Sequence, residues 1–167
     1  ENIPPSGGVM ICANHISNFD PLLVGVYATK RKVHFMAKAE LFKNKFFAII
    51  LKGINAFPVK RGKGDISAIK TSFKILNNGE VLGLFPEGKR SKSGKILPAE
   101  PGAAMIAIKT DVPVVPIRIK GSYKLFRRLD IFVGKPISFS QYTGKKLSMD
   151  EINELSQTIM KEIRNLG

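Results

Sequence analysis

Apolar and polar positions along this chain switch between two periods, and the switching outlines a fold. Short apolar runs at 8–13 (GVMICA), 32–38 (KVHFMAK) and 80–85 (EVLGLF) predict strands, as does the start of INAFPVKRGKG at 54–64. VPVVPIRIKG and LDIFVGKPISF predict two late strands. Asp20 suits a helix N-cap and Pro21 a first helical turn, which predicts a helix over 21–29. Residues 39–53 read as one helix closed by Gly53. Asp65 is placed to cap a helix with apolar steps at Ile66, Ile69, Phe73 and Leu76, ended by Gly79. AAMIAIKT reads as a small-residue helix. Ser148 and Glu151 have the spacing of a capping box for a last helix over 149–166, with Ile152, Leu155, Ile159, Ile163 and Leu166 facing inward. Strands and helices alternate without a repeat or linker. The expected fold is a single α/β domain over residues 1–167, with a mixed, largely parallel sheet flanked by helices.

Charge changes the picture. Twenty-seven Lys and Arg face thirteen Asp and Glu, a formal net charge of +14. Such a surface favours polyanions: nucleic acid, an anionic membrane face or a phosphorylated substrate. Cys12 is the single cysteine, so no internal disulfide is possible and no cysteine-based metal cluster can form. The longest apolar run, FFAIIL at 46–51, is far short of the ~20 residues a spanning helix needs. The opening ENIPPSGG lacks a methionine, and the expectation is an N-terminal anchoring segment outside this sequence. The broad apolar face of 39–53 reads as core. Its alternative, given Lys43, Lys45 and Lys52, is an amphipathic helix lying in a membrane interface.

Candidate chemistry sits in three loops that each follow a predicted strand, the edge where open α/β sheets bind ligands. NHISNFD at 14–20 brings together Asn14, His15, Ser17 and Asp20. A carboxylate bonded to one imidazole nitrogen fixes the tautomer and raises the basicity of the other, so His15 with Asp20 can act as a general base. The plainer reading leaves Asp20 as a cap and His15 as a loop residue. No G-x-S-x-G elbow accompanies Ser17, so the expected nucleophile is a substrate hydroxyl. FPEGKRSKSGK at 85–95 offers Glu87, Gly88, Lys89, Arg90 and Ser91. It departs from a P-loop in spacing and in having Ile96 after Lys95, which argues against nucleotide hydrolysis. FPVKRGKG at 57–64 adds Lys60 and Arg61. His34 lies inside an apolar strand pattern and reads as structural. His15, His34 and Cys12 make no metal-ligand set. No nucleic-acid-binding module appears, so the competing reading of a basic lipid- or nucleic-acid-binding module has only the charge behind it.

NHISNFD resembles the N-H-x-x-x-x-D motif of the glycerolipid acyltransferases, in particular those that acylate 1-acyl-sn-glycerol 3-phosphate. FPEGKRS resembles that family's F-P-E-G-T-R-S block, with Lys89 where threonine is usual. AFPVKRG and VPVVPIRI are similar to its second and fourth blocks, and all four stand in the family's order over residues 14–118. The resemblance implies a glycerol-3-phosphate acyltransferase-like fold. It implies His15, aided by Asp20, as the base that deprotonates the sn-2 hydroxyl of lysophosphatidic acid. The donor would be acyl-coenzyme A or acyl-acyl carrier protein, and no cofactor or metal is implied. Asn14, Ser17, Lys60, Arg61, Glu87, Gly88, Arg90 and Ser91 become candidate substrate-binding residues. Glycerol 3-phosphate or another lysophospholipid is the alternative acceptor. An anionic membrane surface is the expected partner in place of nucleic acid, on the cytoplasmic face of the cell membrane.

Overall fold

The computed structural model describes residues 2–27, 31–60, 64–123 and 127–167. Six strands form one sheet: β1 (Val9–Ala13), β2 (Val33–Lys38), β3 (Ala56–Val59), β4 (Val81–Leu84), β5 (Val114–Gly121) and β6 (Leu129–Val133). Their spatial order is β3-β2-β4-β1-β5-β6. All neighbours run parallel except the antiparallel β5–β6 pair, so the sheet is mixed and largely parallel as expected. β1 is wholly buried, because a central parallel strand is covered on both faces. Pro58 lies in β3 at the sheet edge, where a missing N–H costs no ladder bond on the open side.

Four helices lie between strands, α1 (Asp20–Tyr27), α2 (Lys45–Gly53), α3 (Ile66–Asn77) and α4 (Gly102–Thr110), and α5 (Met149–Asn165) follows the last strand. The β1–α1–β2 and β2–α2–β3 crossovers advance the same way across the sheet. Right-handed crossovers therefore put α1 and α2 on one face. The connections through α3 and α4 run the other way, onto the opposite face. There Met10, Leu82, Leu76, Ile106, Ile159 and Ile163 belong to one core cluster. Val24 of α1 packs in a second cluster with Ile11, Phe35 and Ile117.

Local signals set most element ends. The Asp65 carboxylate accepts the N–H groups of Ser67 and Ala68, and Ser148 with Glu151 closes the expected capping box. The predicted helix over 39–53 is corrected: it divides into a 3-10 turn (Ala39–Lys43) and α2. Asn44 is extended, and its side chain accepts the N–H groups of Phe46 and Phe47. Its assignment to the core is corrected too. Phe46, Phe47, Ile49 and Ile50 are all exposed, and α2 buries no residue. In α3 the inward stripe is Ala68, Ser72, Ile75 and Leu76, and Ile66 is exposed. In α5 it is Ser156, Ile159, Met160 and Ile163, with Ile152, Leu155 and Leu166 at its margin. His34 lies on β2 with its buried Nε2 3.3 Å from Glu80 Oε2 but without hydrogen-bond geometry.

Candidate functional site

β1 ends at Ala13, and the next residues leave the sheet at its C-terminal edge between β4 and β5. The Asn14 side chain is buried and makes two bonds to one backbone position of β5. Its Nδ2 donates to Ile119 O at 2.9 Å, and its Oδ1 accepts Ile119 N–H at 2.7 Å. Asn14 thus ties the loop root to β5, and its amide is not open to a ligand.

His15 and Asp20 meet as the spacing suggested. Nδ1 lies 2.7 Å from Asp20 Oδ2. The same oxygen accepts the N–H groups of Ile16 at 2.7 Å and Ser17 at 2.8 Å. The expected N-cap role is corrected: Asp20 begins α1 itself, and its carboxylate turns back over the loop. Asp20 is completely buried, and the His15 side chain is only 12% exposed. A carboxylate acceptor places the proton on Nδ1, leaving Nε2 as the basic nitrogen. Ser17 Oγ accepts Phe19 N–H at 3.2 Å and so serves the loop turn.

The loop after β4 holds His15 from behind. Glu87 Oε1 accepts His15 N–H at 2.7 Å, and its Oε2 accepts Leu97 N–H at 2.9 Å. Ser91 N–H donates to His15 O at 2.8 Å. The backbone of one candidate residue is therefore clamped on both sides by a segment more than seventy residues away. Burial raises the Glu87 pKa above the usual carboxylate range, despite the two N–H groups that oppose the shift. The Phe85 ring stacks on the imidazole, with centroids 4.2 Å apart and planes at 20°. Gly88 turns the chain at φ +65°. Glu87 and Ser91 are buried, so both sit in the scaffold around His15, while Lys89 and Arg90 are exposed on the same loop.

Strand order separates the third candidate loop from this cluster. β3 stands three positions from β1, roughly 14 Å at the usual strand spacing. Lys60 is exposed there, and its N–H is bound by Asp65. Arg61 lies outside the described residues.

One participant has no counterpart in the sequence reading. Tyr123, just beyond β5, donates its hydroxyl to Asp20 Oδ1 at 2.7 Å. Its pKa is raised by burial, then by its hydrogen bond to Asp20 and by the Asp20 charge. The only signal in the chain was its position just past a strand end, which means little until β5 is known to lie beside β1. Among the described residues, no group of three or more His, Cys, Asp and Glu side chains is arranged to hold a metal ion. Close to Phe85, Pro86 and Gly88 lies an apolar cavity of about 170 Å³, also lined by Met36, Ala68, Leu84 and Ile106.

A buried carboxylate fixing an imidazole at the C-terminal edge of parallel strands can serve proton transfer to or from a hydroxyl. Similar proteins carry names in keeping with that chemistry. The profile of the acyltransferase family covers residues 1–120. The 1-acyl-sn-glycerol-3-phosphate acyltransferase of Bacillus subtilis is 35% identical, over 99% of this chain and 85% of that protein. The enzyme of the same name from Streptococcus pneumoniae is 29% identical, over 94% of this chain and 60% of that protein. The crystal structure of the 1-acyl-sn-glycerophosphate acyltransferase PlsC from Thermotoga maritima superposes with a TM-score of 0.68 at 25% identity, over 98% of this chain and 69% of that one. With the fold, the motif residues and the relatives in agreement, this chain belongs to the acyltransferase family.

Proposed function

We propose that this acyltransferase moves an acyl group from the thioester of acyl-coenzyme A or acyl-acyl carrier protein to the sn-2 hydroxyl of 1-acyl-sn-glycerol 3-phosphate, forming phosphatidic acid. The observation that carries the reading is the 2.7 Å contact between His15 Nδ1 and the buried Asp20 carboxylate. His15 Nε2 takes the hydroxyl proton as the oxygen attacks the thioester carbon. The tetrahedral intermediate then collapses, the C–S bond breaks, and the imidazolium returns the proton to the departing thiolate. Asp20 stabilises the imidazolium between the two steps. Arg90 and Arg61 are the proposed phosphate-gripping groups, with Lys60 and Lys89 as steering charges at the rim. The relatives' names support the acceptor, and the exposed cations after β4 agree with a phosphate at one end of it.

The same reading puts the enzyme at an anionic leaflet, the cytoplasmic face of the membrane. No helix of the described residues is long and apolar enough to cross a bilayer. The surface offered instead is α2, where exposed Phe46, Phe47, Ile49 and Ile50 stand among exposed Lys43, Lys45 and Lys52.

A two-way assay tests the reaction. Lysophosphatidate, glycerol 3-phosphate and lysophosphatidylcholine are each offered with acyl-coenzyme A and with acyl-acyl carrier protein. Lysophosphatidate should be the preferred acceptor, and His15→Ala should abolish transfer without unfolding the protein. Near-normal turnover by His15→Ala would end the mechanism. Preference for glycerol 3-phosphate would move the enzyme one acylation earlier.

A further inference from the structure

We propose that Tyr123 is a positioning residue for the His15–Asp20 pair, an inference that rests on the base role given to His15 above. Three donors converge on Asp20 Oδ2: His15 Nδ1 and the N–H groups of Ile16 and Ser17. All three come from the loop that Asp20 is meant to hold. A carboxylate held through one oxygen can still swing about its Cβ–Cγ bond, since that torsion is broad. Tyr123 reaches the other oxygen, Oδ1, at 2.7 Å. It follows a different strand and lies 103 residues away in sequence.

The anchor is itself supported. β5 pairs with β1 in register from Met10–Val114 to Ala13–Ile117, so the strand ahead of Tyr123 is aligned with the strand ahead of His15. Asn14 locks the same two strands together at Ile119. The Tyr123 ring also lies against Phe19, centroids 5.9 Å apart, beside the start of α1. Both strands flanking β1 therefore act on one short loop. The β4 side holds the His15 backbone, and the β5 side sets the plane of the Asp20 carboxylate. Tyr123 touches neither acceptor nor donor in this scheme. It keeps Oδ2 aimed at Nδ1, and so keeps Nε2 aimed at the substrate. Glu87 is also ionisable and lies beside the pair, where it acts on the His15 backbone.

The test compares wild type, Tyr123→Phe, Asp20→Asn and the double variant in two readouts. The first is ¹⁵N-edited NMR of the His15 imidazole, which needs no turnover. A protected Nδ1 proton is expected in wild type and an exchange-broadened one in Tyr123→Phe; an unchanged resonance overturns the proposal. The second is steady-state acylation of lysophosphatidate. Loss of one hydrogen bond to a charged group should lower kcat about tenfold in Tyr123→Phe, with KM changed by less than about twofold. In the Asp20→Asn background the same change should cost less than about twofold, because no positioned base remains to be held. Tenfold losses in both backgrounds would show that Tyr123 serves folding alone and would overturn the proposal. Failure of wild type to acylate any acceptor would overturn the proposed function, while the NMR comparison would still decide the role of Tyr123.

Discussion

Glu87→Ala separates the two roles that a glutamate in this loop can have. As a substrate ligand it would matter to binding and little to stability. The structure instead gives it a clamp: Oε1 on His15 N–H, Oε2 on Leu97 N–H, and a side chain shut away from solvent. Alanine would leave both N–H groups without their acceptor. Each part-buried donor left unpaired costs about 1–3 kcal/mol. Against this stands the desolvation of the carboxylate, which is seen in its raised pKa and which alanine relieves. A net loss of about 2–3 kcal/mol is expected. At about 2–4 °C per kcal/mol for a domain of this size, Tm should fall by roughly 5–10 °C. The activity of the folded fraction should fall as well, through kcat, because a base displaced by ~1 Å can lose ~100-fold. Denaturant titration and calorimetry measure the first quantity, and saturation kinetics the second. Glu87→Gln supplies a sign test. A carboxyl whose folded pKa is raised contributes stability that is complete below its unfolded pKa and lost as pH rises through the folded value. The stability difference between wild type and Glu87→Gln should therefore shrink as pH climbs through the acid range. If Glu87→Ala keeps full stability and kcat and raises only KM for the phosphorylated acceptor, the clamp is wrong.

Three further outcomes are expected. A Cβ on Gly83 would come within 2.3 Å of the Phe35 ring, which neighbours Phe85 and through it His15. Gly83→Val should therefore cost about 1–3 kcal/mol by urea titration and lower turnover as well. Arg61→Ala and Arg90→Ala should each lower kcat/KM for lysophosphatidate roughly tenfold to a hundredfold, and spare slow transfer to a monoacylglycerol. Equal losses on both acceptors would move the phosphate elsewhere. Hydrogen bonds from Ser148 hold the Glu151 carboxyl below its usual range. The capping box should thus support α5 at neutral pH and weaken as pH falls through that lowered range, and Glu151→Gln should remove this part of the acid dependence of the helical circular-dichroism signal.

The elements that were readable in advance are those whose cause is local. Apolar spacing placed the strands and helices, because a residue's neighbours one turn or one pleat away decide which face it shares. Asp65 and Ser148 were recognisable as caps because their acceptors reach N–H groups two and three residues on. The 39–53 segment misled for the same reason. Periodicity reports that one face is apolar, not whether anything packs on it, and its break at Asn44 depends on a side chain competing for helix-start N–H groups.

The site divides along the same line. His15 and Asp20 lie five residues apart in one loop, so their pairing was legible from the chain alone, as was the basic, glycine-bearing character of the loops after β3 and β4. What each partner does was not legible. Asn14, Glu87 and Ser91 were expected at the substrate, yet their bonds run to Ile119, His15 and Leu97. Tyr123 was not singled out at all. The contacts that reach the His15 loop from outside it span about 70 to 105 positions and exist because β4 and β5 both lie against β1. Which strand neighbours which is settled by crossover direction and by how helices cover the two faces of the sheet. That is a property of the whole packed chain, and no short stretch of sequence carries it.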